Sequence, residues 1–186
     1  MIQQIDTDLF LWINSHYNNF LDVVMWWASD RFIWIPLYIF LAIVFFKEFP
    51  QHWWKLFIAV GIMIVMTDQS ANVFKEMYPR LRPCHDLNFQ NTVHLVNGYC
   101  GGNFGFVSSH AANSVALTVF CFVMLGDKFR VLKYGLIIYA LLICYSRIYL
   151  AAHFPFDVVR GILSGVIVAI IISSLTKILI KNKNTQ

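Results

Sequence analysis

Charge is what this sequence has least of. Asp, Glu, Lys and Arg make up 13% of its 186 residues, against 59% apolar residues. A soluble domain carries about 25% charged residues and needs them to cover its apolar core. The shortfall, with a mean hydropathy of +0.62, argues against a soluble globular protein. No basic stretch precedes the first apolar run, so a cleaved signal peptide is not expected. Cysteine is sparse, 4 in all, and Cys121 and Cys144 lie inside apolar runs as small buried hydrophobes.

What is present is a series of long apolar segments. Five approach the roughly 20 residues that a bilayer-crossing helix needs. They run from Arg31 to Phe46, Trp53 to Phe74, Ser109 to Leu125, Val131 to Leu150 and Val158 to Ile180. Open sheet edges cannot face lipid, so the expected fold is all-α: a polytopic membrane helix bundle of five to six transmembrane helices in a single domain, residues 1–186. Residues 5–27 mix tryptophans and aliphatics with Asp6, Asp8, Asn14, His16 and Asp22. That polar load suits a helix lying in the membrane interface, with a sixth crossing as the competitor.

Alternating helix directions bring the polar residues to one face. The second apolar segment ends at Lys75, and the third starts at Ser108, Ser109 and His110. The fourth ends at Ser146 and Arg147, and the fifth starts after His153 and Asp157. The long loop over residues 76–107 lies on this face too. The opposite face bears Lys47, Lys55, Lys128, Arg130, Lys133, Lys177, Lys181 and Lys183 in short links or at the tail. Basic residues beside helix ends favour the cytoplasm. The loop face bears nearly as many, Arg31, Lys75, Arg80, Arg82, Arg147 and Arg160, but these cluster with polar and histidine residues and read as held by function. With that discount the loop face is expected outside the cytoplasm.

Three groups on the outer face carry chemistry. Lys75, Arg80 and Arg82 fall within eight residues. Each could be snorkelling to headgroups. As an anion clamp, lysine offers a point charge and arginine a fork that fits phosphate oxygens. Ser108, Ser109 and His110 open a helix, where free backbone amides bind anions and a serine caps. His153 and Asp157 stand four apart beside Arg147, a spacing that lets helical neighbours touch. An Asp bonded to a His would set its tautomer and sharpen the second nitrogen as a nucleophile. The residues alone leave open which histidine attacks.

Two histidines and an aspartate also suit zinc. Lys75, Arg82 and Arg147 would repel a metal ion, so phosphoryl transfer without metal or organic cofactor is the better reading. Nucleic acid is a poor substrate at an outer membrane surface. A lipid or anion transporter would need polar groups continuing across the membrane, yet Leu136 to Cys144 is apolar except for Tyr139. Asp68, Gln69 and Asn72 lie on the helix below Lys75 and read as internal support for the clamp.

The three groups resemble the signature motifs of the type 2 phosphatidic acid phosphatase (PAP2) superfamily. Lys75, six residues and Arg82-Pro83 match its first motif. Val107-Ser108-Ser109-His110 aligns with its Pro-Ser-Gly-His, departing at Val107 and Ser109. Ser146-Arg147, His153 and Asp157 match the third. The resemblance implies a haloperoxidase-like helical core and a lipid phosphatase of a bacterial inner membrane. It implies His153 as nucleophile, Asp157 as its partner and His110 as proton donor. Lys75, Arg82, Arg147, Ser108 and Ser109 would hold phosphate, and a phosphohistidine would form. Among family substrates, polyprenyl diphosphate and lipid A phosphate are favoured over phosphatidylglycerol phosphate and phosphatidic acid. No obligatory protein partner is expected. Cys84 and Cys100 lie in the outer loop, where disulfides persist, and are expected to bond to each other.

Overall fold

The computed structural model describes residues 1–89 and 92–181, which leaves Lys183 of the basic face outside the described residues. Those residues form seven α-helices: α1 (Ile2–Ser15), α2 (Asn19–Ser29), α3 (Ile35–Glu48), α4 (Trp53–Met77), α5 (Ser109–Leu125), α6 (Arg130–Tyr149) and α7 (Pro155–Lys181). Helix α5 is central, packed on α4, α6 and α7. Leu56, Met63, Phe120, Leu136 and Ala169 fill the space between them.

Local chemistry explains the helix starts. Ser108 caps α5, its hydroxyl accepting from the Ala111 N–H, and Asn18 caps α2 through the Leu21 N–H. Pro155 opens α7, where its missing N–H leaves no donor unsatisfied.

Two expectations need correction. Residues 5–27 are not one helix but two, because the chain breaks at His16–Tyr17 and Asn18 starts a new helix by capping. The first of the two is also held tightly by the protein: Asp6, Phe10 and Asn14 are buried. The segment expected from Arg31 begins helically only at Ile35. Asp30 accepts the Phe32 N–H and the Trp34 indole donates to the Ala28 carbonyl, forming a turn instead.

At 14 residues α3 is about 21 Å long. Among the described residues two helices, Trp53–Met77 and Pro155–Lys181, are long and apolar enough to cross a membrane. Large apolar side chains lie exposed along four helices, including Ile39, Ile43, Ile58, Ile62, Leu141 and Ile167. An apolar surface of that extent is suited to lipid, not water.

The segment between α4 and α5 is tied down at one point by an antiparallel bridge between Leu81 and Phe104. Arg82 N–H donates to the Asn103 carbonyl and Gly105 N–H to the Arg80 carbonyl. This brings the end of α4 and the start of α5 side by side.

Candidate active site

His153 sits in the link between α6 and α7 and is 2% exposed. The link turns back on α6, where the Arg147 carbonyl accepts the N–H groups of Ala152 and His153. The ring Nδ1 lies 2.7 Å from the Gly105 carbonyl oxygen. A carbonyl only accepts, so Nδ1 carries the hydrogen and Nε2 keeps its lone pair. Burial depresses the His153 pKa well below the usual imidazole range, and the charges of Arg147, Arg82 and Lys75 push it the same way. The ring is therefore neutral and has one nucleophilic nitrogen.

The expected bond from Asp157 to His153 is absent among the described residues; the Gly105 carbonyl takes its place. Asp157 is fully buried and turned elsewhere. Its Oδ2 accepts the Phe154 N–H and its Oδ1 pairs with Arg80 at 3.0 Å. Its carbonyl accepts the Ser108 N–H at 3.1 Å, which fastens the start of α7 to the start of α5. A four-residue spacing brings side chains together along a helix, and α7 begins at Pro155, after His153.

Arg80 is not a snorkelling cation. It bridges Asp157 and Asp6, the latter at 2.7 Å, and lies 3.9 Å over the Phe154 ring. Asp6 also accepts the Phe156 N–H at the start of α7. Helix α1 thus braces the His153 link through a residue about 150 positions away, for which the sequence carries no local signal.

Lys75, Arg82 and Arg147 differ from Arg80: among the described residues none has a carboxylate partner. Lys75 Nζ donates to Ser109 Oγ at 3.1 Å. Arg82 donates from Nε to the Phe104 carbonyl. A Cβ at Gly101 would stand 2.5 Å from Arg82 Nη1 and one at Gly105 would stand 3.1 Å from its Cγ, so both glycines give the side chain its bed. Burial lowers the Arg82 pKa, yet a guanidinium stays charged at neutral pH. Arg147 is buried, bonds Ser29 through Nη1, and has an unpartnered Nε. A buried cation without a counter-ion is costly unless an anion visits it.

The start of α5 adds neutral donors. The Ser109 and His110 N–H groups have no acceptor among the described residues. Such a helix start, with three cations unpaired by carboxylates around it, has the donors and the charge to hold an anion. Ser108 is buried with its hydroxyl in the cap, so it acts through the turn. His110 lines a cavity of about 530 Å³ together with Ser29 and Ser109. Ser146 bonds back to the Ile143 carbonyl within α6.

Cys84 and Cys100 form a disulfide with Cα atoms 5.8 Å apart. Their sulfurs and a His85 nitrogen lie within 4.8 Å of one another. The sulfurs are bonded to each other, so they are not free thiolates for a metal. The Cys84 N–H donates to the Ala151 carbonyl, two residues before His153.

Fold and site together define a membrane phosphatase. The chain belongs to the PAP2 superfamily, whose family model matches residues 53–181. It is 34% identical over 169 residues to a protein of Bacteroides thetaiotaomicron named lipid A 4'-phosphatase, covering 88% of this chain and 73% of that one. A Porphyromonas gingivalis protein of the same name is 34% identical over 171 residues, covering 90% and 71%. The crystal structure of Aquifex aeolicus LpxE superposes with a TM-score of 0.68 at 29% identity, over 89% of this chain and 93% of that one. A Bacillus subtilis PAP2-type phosphatidylglycerolphosphate phosphatase shares the fold, with a TM-score of 0.70 at 20% identity over 95% and 86%. The chain is thus an all-α lipid phosphate phosphatase of a bacterial inner membrane.

Proposed function

We propose that this protein removes a phosphate from a lipid A-type headgroup at the outer face of the membrane, by way of a phosphohistidine. The observation that carries the proposal is the cluster of Lys75, Arg82 and Arg147, unpaired by carboxylates and close enough to depress the pKa of a neutral, singly protonated His153. Their forks and point charge suit phosphate oxygens, together with the N–H groups of Ser109 and His110. His153 Nε2 attacks phosphorus and the bond to the leaving oxygen breaks. Once the phosphate's negative charge offsets Lys75, Arg82 and Arg147, His110 can carry the proton that it delivers to that oxygen. Water then attacks phosphorus, the N–P bond breaks, His110 takes the water's proton, and inorganic phosphate leaves. Asp157 is a positioning residue acting through Arg80 and the Ser108 N–H.

Lipid A-type phosphate is favoured by the two similar proteins that carry that name. Polyprenyl diphosphate is the second reading, since a Sulfolobus acidocaldarius undecaprenyl-diphosphatase is 28% identical over 169 residues. Five crossings, α3 to α7, would place the 76–107 loop outside the cytoplasm, with α1 and α2 of the 5–27 region at the interface, all in one domain. The disulfide in that loop favours the same orientation.

Phosphate release from purified protein in detergent tests the proposal. His153→Ala should lower turnover by at least about 10³-fold, as loss of a nucleophile does, with folding retained. EDTA should leave wild-type activity unchanged. Near-normal turnover of His153→Ala, or loss on EDTA restored by one metal, contradicts the mechanism.

A further inference from the structure

The cavity beside His110 extends beyond anything the phosphate needs. It lies between α2, α3, α4, α5 and α6, and at about 530 Å³ it falls within the range of about 300–1,000 Å³ typical of ligand sites. One end is polar, lined by Ser29, Arg31, Asp68, Ser109, His110 and Asn113. The other end is lined by Leu41, Phe45, Phe57, Val60, Leu117 and Ile143. The proposed proton donor stands at the polar end. A leaving oxygen must approach that donor, so the cavity takes the leaving group.

Asp68 is the anomaly in this wall. It is the one acidic residue lining the cavity among the described residues. A carboxylate repels phosphate, so it does not serve the phosphate itself. It has no cation within ion-pair distance among the described residues. Its Oδ1 accepts from Asn113 Nδ2 at 2.9 Å, while Thr67 donates to Asn113 Oδ1. Those two bonds fix the amide orientation, with nitrogen towards Asp68. Asp68 Oδ2 accepts nothing among the described residues, and Asn113 keeps a second N–H. The pair therefore presents an acceptor and a donor side by side.

We infer that Asp68 and Asn113 form a specificity subsite for a leaving group that carries its own hydrogen-bond donors, an acylated amino sugar, with one acyl chain in the apolar end. The inference rests on the lipid phosphatase reading above. A sugar hydroxyl or amide N–H donates to Asp68, and the neighbouring carbonyl or hydroxyl oxygen accepts from Asn113. Diacylglycerol released from phosphatidate has ester oxygens beside the reacting atom and no donor other than the hydroxyl being freed. Polyprenyl phosphate, the leaving group of the diphosphate, is an anion that the carboxylate repels. Neither uses the carboxylate. The volume accommodates one chain, not several, so the remaining chains of a multiply acylated substrate stay in lipid.

The test is kcat/KM of the full-length protein in detergent for two probes: a long-chain N-acyl glucosamine phosphate and a phosphatidate of matched chain length. Asp68→Asn keeps shape and removes the charged acceptor. The ratio of kcat/KM, sugar over phosphatidate, should fall about 10- to 100-fold, the loss expected for a charged hydrogen bond. An unchanged ratio, with both substrates slowed equally, overturns the subsite and leaves Asp68 as a structural charge. Ala42→Phe tests the tail independently, since Ala42 also lines the cavity. It should slow the long-chain sugar substrate about 10-fold relative to a short-chain one. Equal effects on both chain lengths overturn the tail placement. Wild-type protein releasing phosphate from neither probe nor from polyprenyl diphosphate would instead overturn the phosphatase reading, and the subsite with it.

Discussion

Buried charges in this protein are of two kinds. Arg80 is neutralised by Asp6 and Asp157, and its job is to hold α1, α7 and Phe154 together. Arg147 is buried without a carboxylate, and in the proposed mechanism its counter-ion comes from outside, as the substrate's phosphate. His153 follows the same logic in its titration. Its pKa is lower in the folded chain than the value of about 6.5 expected when unfolded. Above about pH 6.5 the ring is neutral in both states, so this stability is fully present. As pH falls below that value the unfolded chain gains a proton that the folded one refuses, and stability declines until the folded pKa is reached. Thermal unfolding in detergent should therefore fall more steeply from pH 7.5 to 5 for wild type than for His153→Gln; parallel declines would contradict a neutral buried ring. Val107 is a second residue-scale feature. Its φ is +63°, a left-handed conformation rare for a β-branched residue. The family motif has proline here, whose ring locks φ near −65°. Val107→Pro should therefore not restore the motif but destabilise the fold by more than about 1 kcal/mol. An unchanged melting temperature would refute the left-handed turn.

Helix pairs are set by small residues. Gly161 and Gly165 stand four apart on α7 and face Ser108, Ala111 and Ala112 at the start of α5. Such spacing allows close backbone approach where lipid leaves no hydrophobic drive between helices. A Cβ at Gly161 would meet the Ser108 carbonyl oxygen at 2.5 Å and the Ala111 Cβ at 3.1 Å. Neither neighbour is a flexible side-chain tip, so α5 must move, taking Ser109 and His110 with it. Gly161→Ala should lower the unfolding free energy by about 1–3 kcal/mol, as overpacking does, and kcat/KM by at least about 10-fold. Full activity in that variant would mean that the phosphate site tolerates movement of α5. The α1–α2 break acts at the same scale. It lets α1 present Asp6 to Arg80 while Ser29 at the end of α2 reaches Arg147.

Taken whole, the molecule is a helical frame that braces one site from several directions. The loop between α4 and α5 is stapled by the Cys84–Cys100 disulfide, bonded to the His153 link through Ala151, and paired with itself at Leu81 and Phe104. The bond spans a sequence separation of 16, and loop-closure entropy gives such a crosslink a stabilisation of about 3 kcal/mol. Replacing both cysteines by serine should lower the melting temperature, and also lower kcat, because the loop carries Arg82 and the Gly105 carbonyl. Alkylation of non-reduced wild-type protein should label neither residue. Label on both would remove the staple and this account of loop order.

The composition, the apolar runs and the three spaced motifs determine a good deal by themselves. A chain this poor in charge has to put its apolar surface against lipid, and helices satisfy their own backbone there, so the all-α bundle was legible from residue counts. Four of the five main helices begin and end within a few residues of their apolar runs, because caps such as Ser108 and breakers such as Pro155 act locally. That Lys75, Ser109, Arg147 and His153 gather at one end of the bundle was legible for the same reason: alternating helices return their ends to one face. What only the tertiary structure decided are contacts between distant segments. No spacing rule reveals that the Gly105 carbonyl, and not Asp157, orients His153, since a backbone carbonyl leaves no mark in a sequence. Nor does any pattern show that Asp6 holds Arg80, or that Asp68 and Asn113 share a wall, because pairing across 74 and 45 positions depends on how helices pack, and that depends on the volumes of every side chain between them.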